Sequence, residues 1–235
     1  VRLKQDYGGQ HTMARVRVSL GGAAPAPADA GPKRDAVLQA AFADWEKKAI
    51  AKAVKWVTLR PAELKSNSPT LTLLDDDSVL ASGDITKSDT YDLAFRTDLS
   101  GVTGVRIEAL PHDSLPKHGP GMVDYEGPFG DFQLSEIYLT ADGAPGKFTK
   151  AVHSFASGGA PASAAIDGNQ QTGWMINGGQ GKPHYAVFSL DAPTGSAKDL
   201  RVRLLFEKYY AAALGHFRIA VTTDPRVRDD EALPP

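Results

Sequence analysis

From Trp56 to Thr223 the chain alternates apolar and polar positions in short runs broken by Gly, Pro, Asn and Asp, the pattern of antiparallel strands with one buried face. The first run is 56–61, stopped by Pro61, and two short strands within 68–84 flank the acidic turn Asp75-Asp76-Asp77. Residues 89–97 point Tyr91, Leu93 and Phe95 inward, and 101–111 do the same with Val105, Ile107 and Ala109. Further strands are predicted over 132–142, 148–157, 173–176, 184–190, 200–207 and 216–223. The Gly/Pro-rich stretch 112–131 has no period, and loops of that length are usually functional or mobile. Ahead of the strands, Leu38, Phe42, Trp45, Ala49 and Ala53 recur at helical spacing opposite Lys47, Lys48 and Lys52. They predict an amphipathic helix over 34–55, N-capped by Asp35, whose stripe packs on the sheets and makes Trp45 a packing residue. The fold class is all-β, an antiparallel β-sandwich of jelly-roll type with one accessory helix.

Two internal correspondences organise the strands. Residues 1–20 align without a gap onto 202–221, with Val1/Val202, Arg2/Arg203, Leu3/Leu204 and Arg17/Arg218 identical. The N-terminal stretch therefore reads as a β-hairpin, either the closing strands of an upstream repeat or part of this sheet. An Ala/Pro/Gly linker (21–33) follows, semi-rigid because of its prolines. Residues 56–145 and 146–225 then share one order: acidic turn, alternating strand, charged alternating strand, loop, final strand. That order fits two related half-sandwiches or two small lobes. Residues 226–235 read as a tail.

Composition removes several function classes. The formal net charge of −2, with the signs intermixed, leaves no basic field to recruit nucleic acid or an anionic membrane. The chain has no cysteine, hence no disulfide framework, no thiolate metal site, no cysteine nucleophile and no C-x-x-C-H for covalent haem. No apolar run is long enough for a membrane span. The opening Val1-Arg2-Leu3-Lys4 reads as the interior of a longer chain, with any targeting signal outside it.

The stretch Ala165-Ile166-Asp167-Gly168-Asn169-Gln170-Gln171-Thr172-Gly173-Trp174 reads as a strand, a tight turn and a return to an aromatic. It resembles the D-G-N-x-x-T-x-W run of discoidin-type, galactose-binding-like β-sandwich domains. Residues 184–190 and 102–139 extend the likeness, although here the closing strand pair precedes the turn, as in a permuted or duplicated version. Over 56–224 the chain also resembles a module of large exported planctomycete proteins that carry a cytochrome-c-like domain. That likeness rests on W-V-T-L-R-P, D-S-V-L-A-S-G-D, V-R-I-E-A-L-P-H-D-S-L-P-K-H-G-P-G, G-D-F-Q-L-S-E and the L-G-H-F-R-I strand. The resemblance implies a non-catalytic carbohydrate-binding module of an exported multidomain protein; the alternatives are a structural or docking β-sandwich with no glycan ligand and a polysaccharide-acting enzyme. The module's partners would be a polysaccharide or glycan and neighbouring domains, including the cytochrome-c-like one, with no haem in this chain.

The resemblance also implies a structural Ca²⁺ held by Asp167, Asn169, Thr172 and Glu136, a set of hard oxygen donors. The alternative is an Asx turn without metal. A sugar site needs a planar aromatic and a few polar groups at a rim. The candidates are Trp174, His184, Tyr185, Tyr209 and Tyr210, with Arg218 and Asn177 as hydrogen-bonding partners. Trp174, directly after the turn, equally reads as core, and the Gly178–Gly181 loop as a plain turn. The 112–131 loop offers a second rim with His112, His118, Tyr125 and Phe129. Glu136, Asp131, Asp124 and Glu126 are the carboxylates available for glycoside hydrolysis. No G-x-S-x-G or H-E-x-x-H run accompanies them, and the expectation is that the chain is not an enzyme.

Overall fold

The computed structural model describes Lys4, residues 17–22 and residues 29–228. The expected hairpin over 1–20 lies almost wholly outside them, as does much of the linker. The chain divides into two compact units, Val1–Ala51 and Lys52–Pro235.

The first unit holds helix α1 (Ala30–Lys52). It begins ahead of the predicted Asp35 cap, because Pro32 falls in the first turn, where a missing N–H breaks no helical bond. Asp29 supplies the carbonyl for the Lys33 N–H at 3.0 Å. Taken by itself, the helix carries Val37, Leu38, Phe42, Trp45 and Ile50 as exposed residues. The stripe is thin: Ala40, Ala41, Ala43 and Ala49 fill the turns between its large residues and offer little apolar area to bury.

The second unit is all-β. Its strands are β1 (Val57–Thr58), β2 (Pro61–Lys65), β3 (Thr70–Leu73), β4 (Val79–Ser82), β5 (Ser88–Arg96) and β6 (Gly104–Ala109). They continue as β7 (Glu136–Ala141), β8 (Ala144–Gly146), β9 (Phe148–His153), β10 (His184–Leu190), β11 (Asp199–Glu207) and β12 (His216–Thr222). A five-stranded sheet has the order β2-β5-β11-β7-β8, and a seven-stranded sheet the order β3-β4-β12-β6-β10-β9 with β1 also on β12. All pairings are antiparallel. The predicted 56–61 strand is divided between the sheets. Pro61 opens β2 at a sheet edge, where a residue without an N–H is tolerated.

The inward faces meet in one core. Tyr91, Leu93 and Phe95 of β5 join Val105, Ile107 and Ala109 of β6, as the alternation predicts, with Leu204 and Phe206 of β11 and Phe217 of β12. Residues 56–145 and 146–225 do not form separate lobes. Strand β11 lies between β5 and β7, and β6 lies between β12 and β10, so each stretch supplies the middle strand of the other's sheet.

Two irregular segments are more ordered than their sequence implies. The 112–131 loop is bonded throughout: Gly121 N–H donates to Gly130 O (2.9 Å), Met122 N–H to Ala213 O (2.9 Å) and Gly215 N–H to Pro120 O (2.8 Å). A Cβ on Gly121 would stand 1.8 Å from Asp131 O, so this crossing requires glycine. At the other end of the unit, Pro225–Arg228 forms a 3-10 turn, and the rest of the expected tail, 229–235, lies outside the described residues. Val227 is buried there, and its carbonyl accepts from Ser189 Oγ at 2.9 Å.

Candidate functional site

The D-G-N turn follows a short 3-10 segment (Ala162–Ala165) and leads to a single bridge between Leu134 and Trp174, not to the predicted strand over 173–176. Its side chains first serve the turn itself. Asp167 Oδ1 accepts the Asn169 N–H (2.8 Å), Asp167 Oδ2 accepts the Thr172 hydroxyl (2.8 Å), and Asn169 Oδ1 accepts the Gln171 N–H (3.1 Å). These are Asx bonds that close the turn. Glu136, at the start of β7, is buried beside it, close enough for the Gly168 amide to act on its carboxyl. Burial first, then the Asp167 charge, pushes the Glu136 carboxyl above its ordinary range. Its Oε1 is buried without a hydrogen-bond partner. The fold thus sets two carboxylates against each other with one oxygen unsatisfied. Among the described residues no group of three or more His, Cys, Asp or Glu side chains is placed to hold a metal ion.

The other candidates scatter. Trp174 is 0% exposed: its ring meets Phe132 edge-on at 5.0 Å and its Nε1–H donates to Phe155 O at 2.9 Å. It is a core residue and has no face to offer a ligand. Tyr210 and His184 are buried as well. His184 Nε2 bonds Gly179 O at 2.7 Å, and a Cβ on Gly179 would collide with that ring, so the glycine loop is wrapped around the histidine rather than around a ligand. Tyr185 lies on the outward face of the seven-stranded sheet under the Arg106 guanidinium, 4.8 Å from the ring centroid. Arg218, on the same face, is held by Glu108 at 2.6 Å and Asp76 at 3.6 Å. Asn177 accepts from Gln180 Nε2 at 3.1 Å. Tyr209 alone of the seven is a well-exposed aromatic, at 71%.

The carboxylates proposed for acid–base work are not paired in the open. Asp131 is 0% exposed; its Oδ1 accepts the Ile176 N–H at 2.8 Å and its Oδ2 is unsatisfied. Burial pushes it up to about 6, against the pull of the Ile176 and Phe132 amides and Lys208. Lys208 is lowered by burial, and its Nζ donates to Gln133 Oε1 at 2.5 Å. Asp124 and Glu126 are exposed on the loop, with Glu126 3.2 Å from Lys87 Nζ; His112 stands 5.3 Å from the His216 ring, and His118 3.1 Å from Asp113.

A concavity lies elsewhere, on the outward face of the five-stranded sheet, with a volume of about 710 Å³. Its floor is a rung of three residues in register across β7, β11 and β5: Tyr138, Arg203 and Asp92. Arg203 forks onto Asp92, Nε to Oδ1 at 2.6 Å and Nη2 to Oδ2 at 3.2 Å, and that hydrogen bond raises the guanidinium pKa further. Tyr138 is 45% exposed. Among the described residues no ring or cation is stacked on it. Burial and then Glu136 raise its phenol, and the nearby Gln170 side chain draws it back down. Gln170 belongs to the D-G-N turn and reaches the groove beside Arg201, Thr140 and Thr90. None of these residues emerges from a strand-by-strand reading. Their signal is the polar half of each alternation, which acquires meaning only when β11 is placed between β5 and β7.

The second unit is thus defined as a two-sheet all-β fold with a polar groove on one outward face. No protein-family model, curated protein or solved structure matches the chain.

Proposed function

We propose that the chain is a non-catalytic carbohydrate-binding module of the galactose-binding-like kind, and that the groove on the five-stranded sheet is its glycan site. The observation that carries this reading is the Tyr138–Arg203–Asp92 rung: one exposed ring for the apolar face of a sugar, beside a planar fork that presents both donors and acceptors to its hydroxyls. Gln170 extends the polar rim from the neighbouring turn. Binding of the intact chain to immobilised polysaccharides, weakened about tenfold in Tyr138→Ala and weakened in Arg203→Ala with the fold retained, is the expected result. Failure to bind any polysaccharide sinks the proposal. The setting within an exported protein that also carries a cytochrome-c-like domain rests on the resemblance alone.

A calcium ion at the turn is the second part of the reading. The unsatisfied buried Glu136 Oε1, on a carboxyl that the Asp167 charge pushes up, fits a cation, which would relieve the repulsion between the two carboxylates. Glu136 and Asp167 would hold it, with the Thr172 hydroxyl and turn carbonyls completing an oxygen shell. Asp167 and Asn169 both also accept hydrogen bonds within the turn, which leaves each oxygen a further lone pair for an ion. Bound there, the ion would fix the turn and so the position of Gln170. Adding a chelator is expected to lower the melting temperature of the chain as prepared, and Glu136→Gln to remove that response. An unchanged melting temperature rules the ion out.

A further inference from the structure

We infer that the groove takes an internal stretch of a linear, uncharged polysaccharide lying across the strands, not a chain terminus and not an acidic glycan; this rests on the glycan reading of the same groove. The first ground is shape. The lining runs from Glu63 and Lys65 on β2, through β5 and β11, to Tyr138 and Thr140 on β7, and Gln170 alone comes from outside the strands. Four neighbouring strands span roughly 15 Å, room for about three sugar rings in an extended chain. A monosaccharide pocket needs walls that close around the end of a chain, and an open sheet face with a single side-chain contribution from a turn does not supply them.

The second ground is charge. Each cation of the groove already has a carboxylate: Arg203 with Asp92 at 2.6 Å, Arg201 with Asp199 at 3.2 Å, Lys65 with Glu63 at 3.5 Å. A uronate or sulfated sugar would compete with these resident partners and leave a displaced carboxylate facing another anion. Hydroxyl groups make no such demand. They accept from the outer N–H groups of an arginine and donate to the free lone pairs of its carboxylate while the pair stays intact. Tyr138 is the one ring of the lining, so one sugar stacks and its neighbours are held by hydrogen bonds.

The test is calorimetric titration of the full chain with neutral glucan, xylan and mannan oligomers from one to six sugars, and with oligogalacturonates, at low and high salt. The expected result is that one neutral series gains about tenfold in affinity from disaccharide to tetrasaccharide, levels off beyond it, and changes little with salt. Tyr138→Ala and Gln170→Ala are expected to weaken every length of that series. A monosaccharide that binds as tightly as the tetrasaccharide overturns the internal-chain inference while leaving the glycan site in place. Preference for oligogalacturonate that fades with salt overturns the neutral class in the same way. No binding by any probe overturns both this inference and the glycan reading.

Discussion

Tyr138, Arg203 and Asp92 stand side by side across β7, β11 and β5, and Tyr185, Glu108 and Arg218 stand side by side across β10, β6 and β12. The ingredients match, a tyrosine, an arginine and a carboxylate on the outward face of each sheet. The residue in the middle differs in sign. Glu108 is clasped by Arg218 from the next strand (2.6 Å) and by Arg106 from its own (2.7 Å), and Arg106 then lies over Tyr185. With Arg203 in the middle there is one carboxylate partner, and the tyrosine ring is left uncovered. Exposure follows: the Glu108 and Arg218 side chains are 15% and 28% exposed, those of Asp92 and Arg203 44% and 58%. A central carboxylate draws guanidinium groups over the sheet and seals it, whereas a central arginine leaves a floor on which something else can lie.

Stability should separate the two rungs most sharply. Glu108→Ala strands Arg106 and Arg218 without their shared partner on a half-buried face and should cost about 2 kcal/mol in urea melts. Asp92→Ala, in the open groove, should cost less than about 1 kcal/mol. Equal losses would mean that the two pairs are not different in kind. Binding should invert that ranking: Tyr138→Ala should weaken glycan binding about tenfold, or 1.4 kcal/mol. Tyr185→Ala should leave affinity unchanged and remove only the guanidinium–ring contact, about 0.5–1 kcal/mol of stability. Loss of binding in the Tyr185 variant would move the site to the other sheet.

The reach of sequence reasoning follows the same division. Inward positions are legible because alternation needs no knowledge of partners: Tyr91, Leu93 and Phe95 are core whichever strands flank β5. The turn at Asp75–Asp77 and the Asx character of Asp167 are legible because their chemistry is local. The groove is not, since its rung joins residues 92, 138 and 203, and only the sheet order makes them neighbours. The misplaced aromatics fail for a related reason. Trp174 and His184 border glycine-rich turns, and a glycine beside an aromatic reads the same whether it admits a ligand or, as Gly179 does, admits the ring itself.

The smallest expected effect concerns pH, and it too has opposite signs on the two sheets. On the groove side, Glu136 has its carboxyl raised by burial and by Asp167. The folded chain therefore keeps a proton that the unfolded chain has already released, and the Glu136 contribution is greatest below its ordinary range and is lost as pH rises through the folded value. On the other sheet, His216 of β12 is lowered by burial, with Nε2 on Ser78 Oγ (2.9 Å) and Nδ1 on Pro111 O (3.1 Å). There the unfolded chain takes up a proton first, so that contribution is present at neutral pH and lost as pH falls below the ordinary histidine value. Melting temperatures measured from pH 4 to 8 should show wild type falling behind Glu136→Gln as pH rises, and falling behind His216→Gln in pH dependence as pH drops, each by less than about 2 °C. Calcium should act on the first slope only, because a cation between Glu136 and Asp167 favours the ionised carboxyl and flattens or reverses it. A calcium response in the His216 slope instead would place the ion on the wrong sheet and detach the D-G-N turn from the groove.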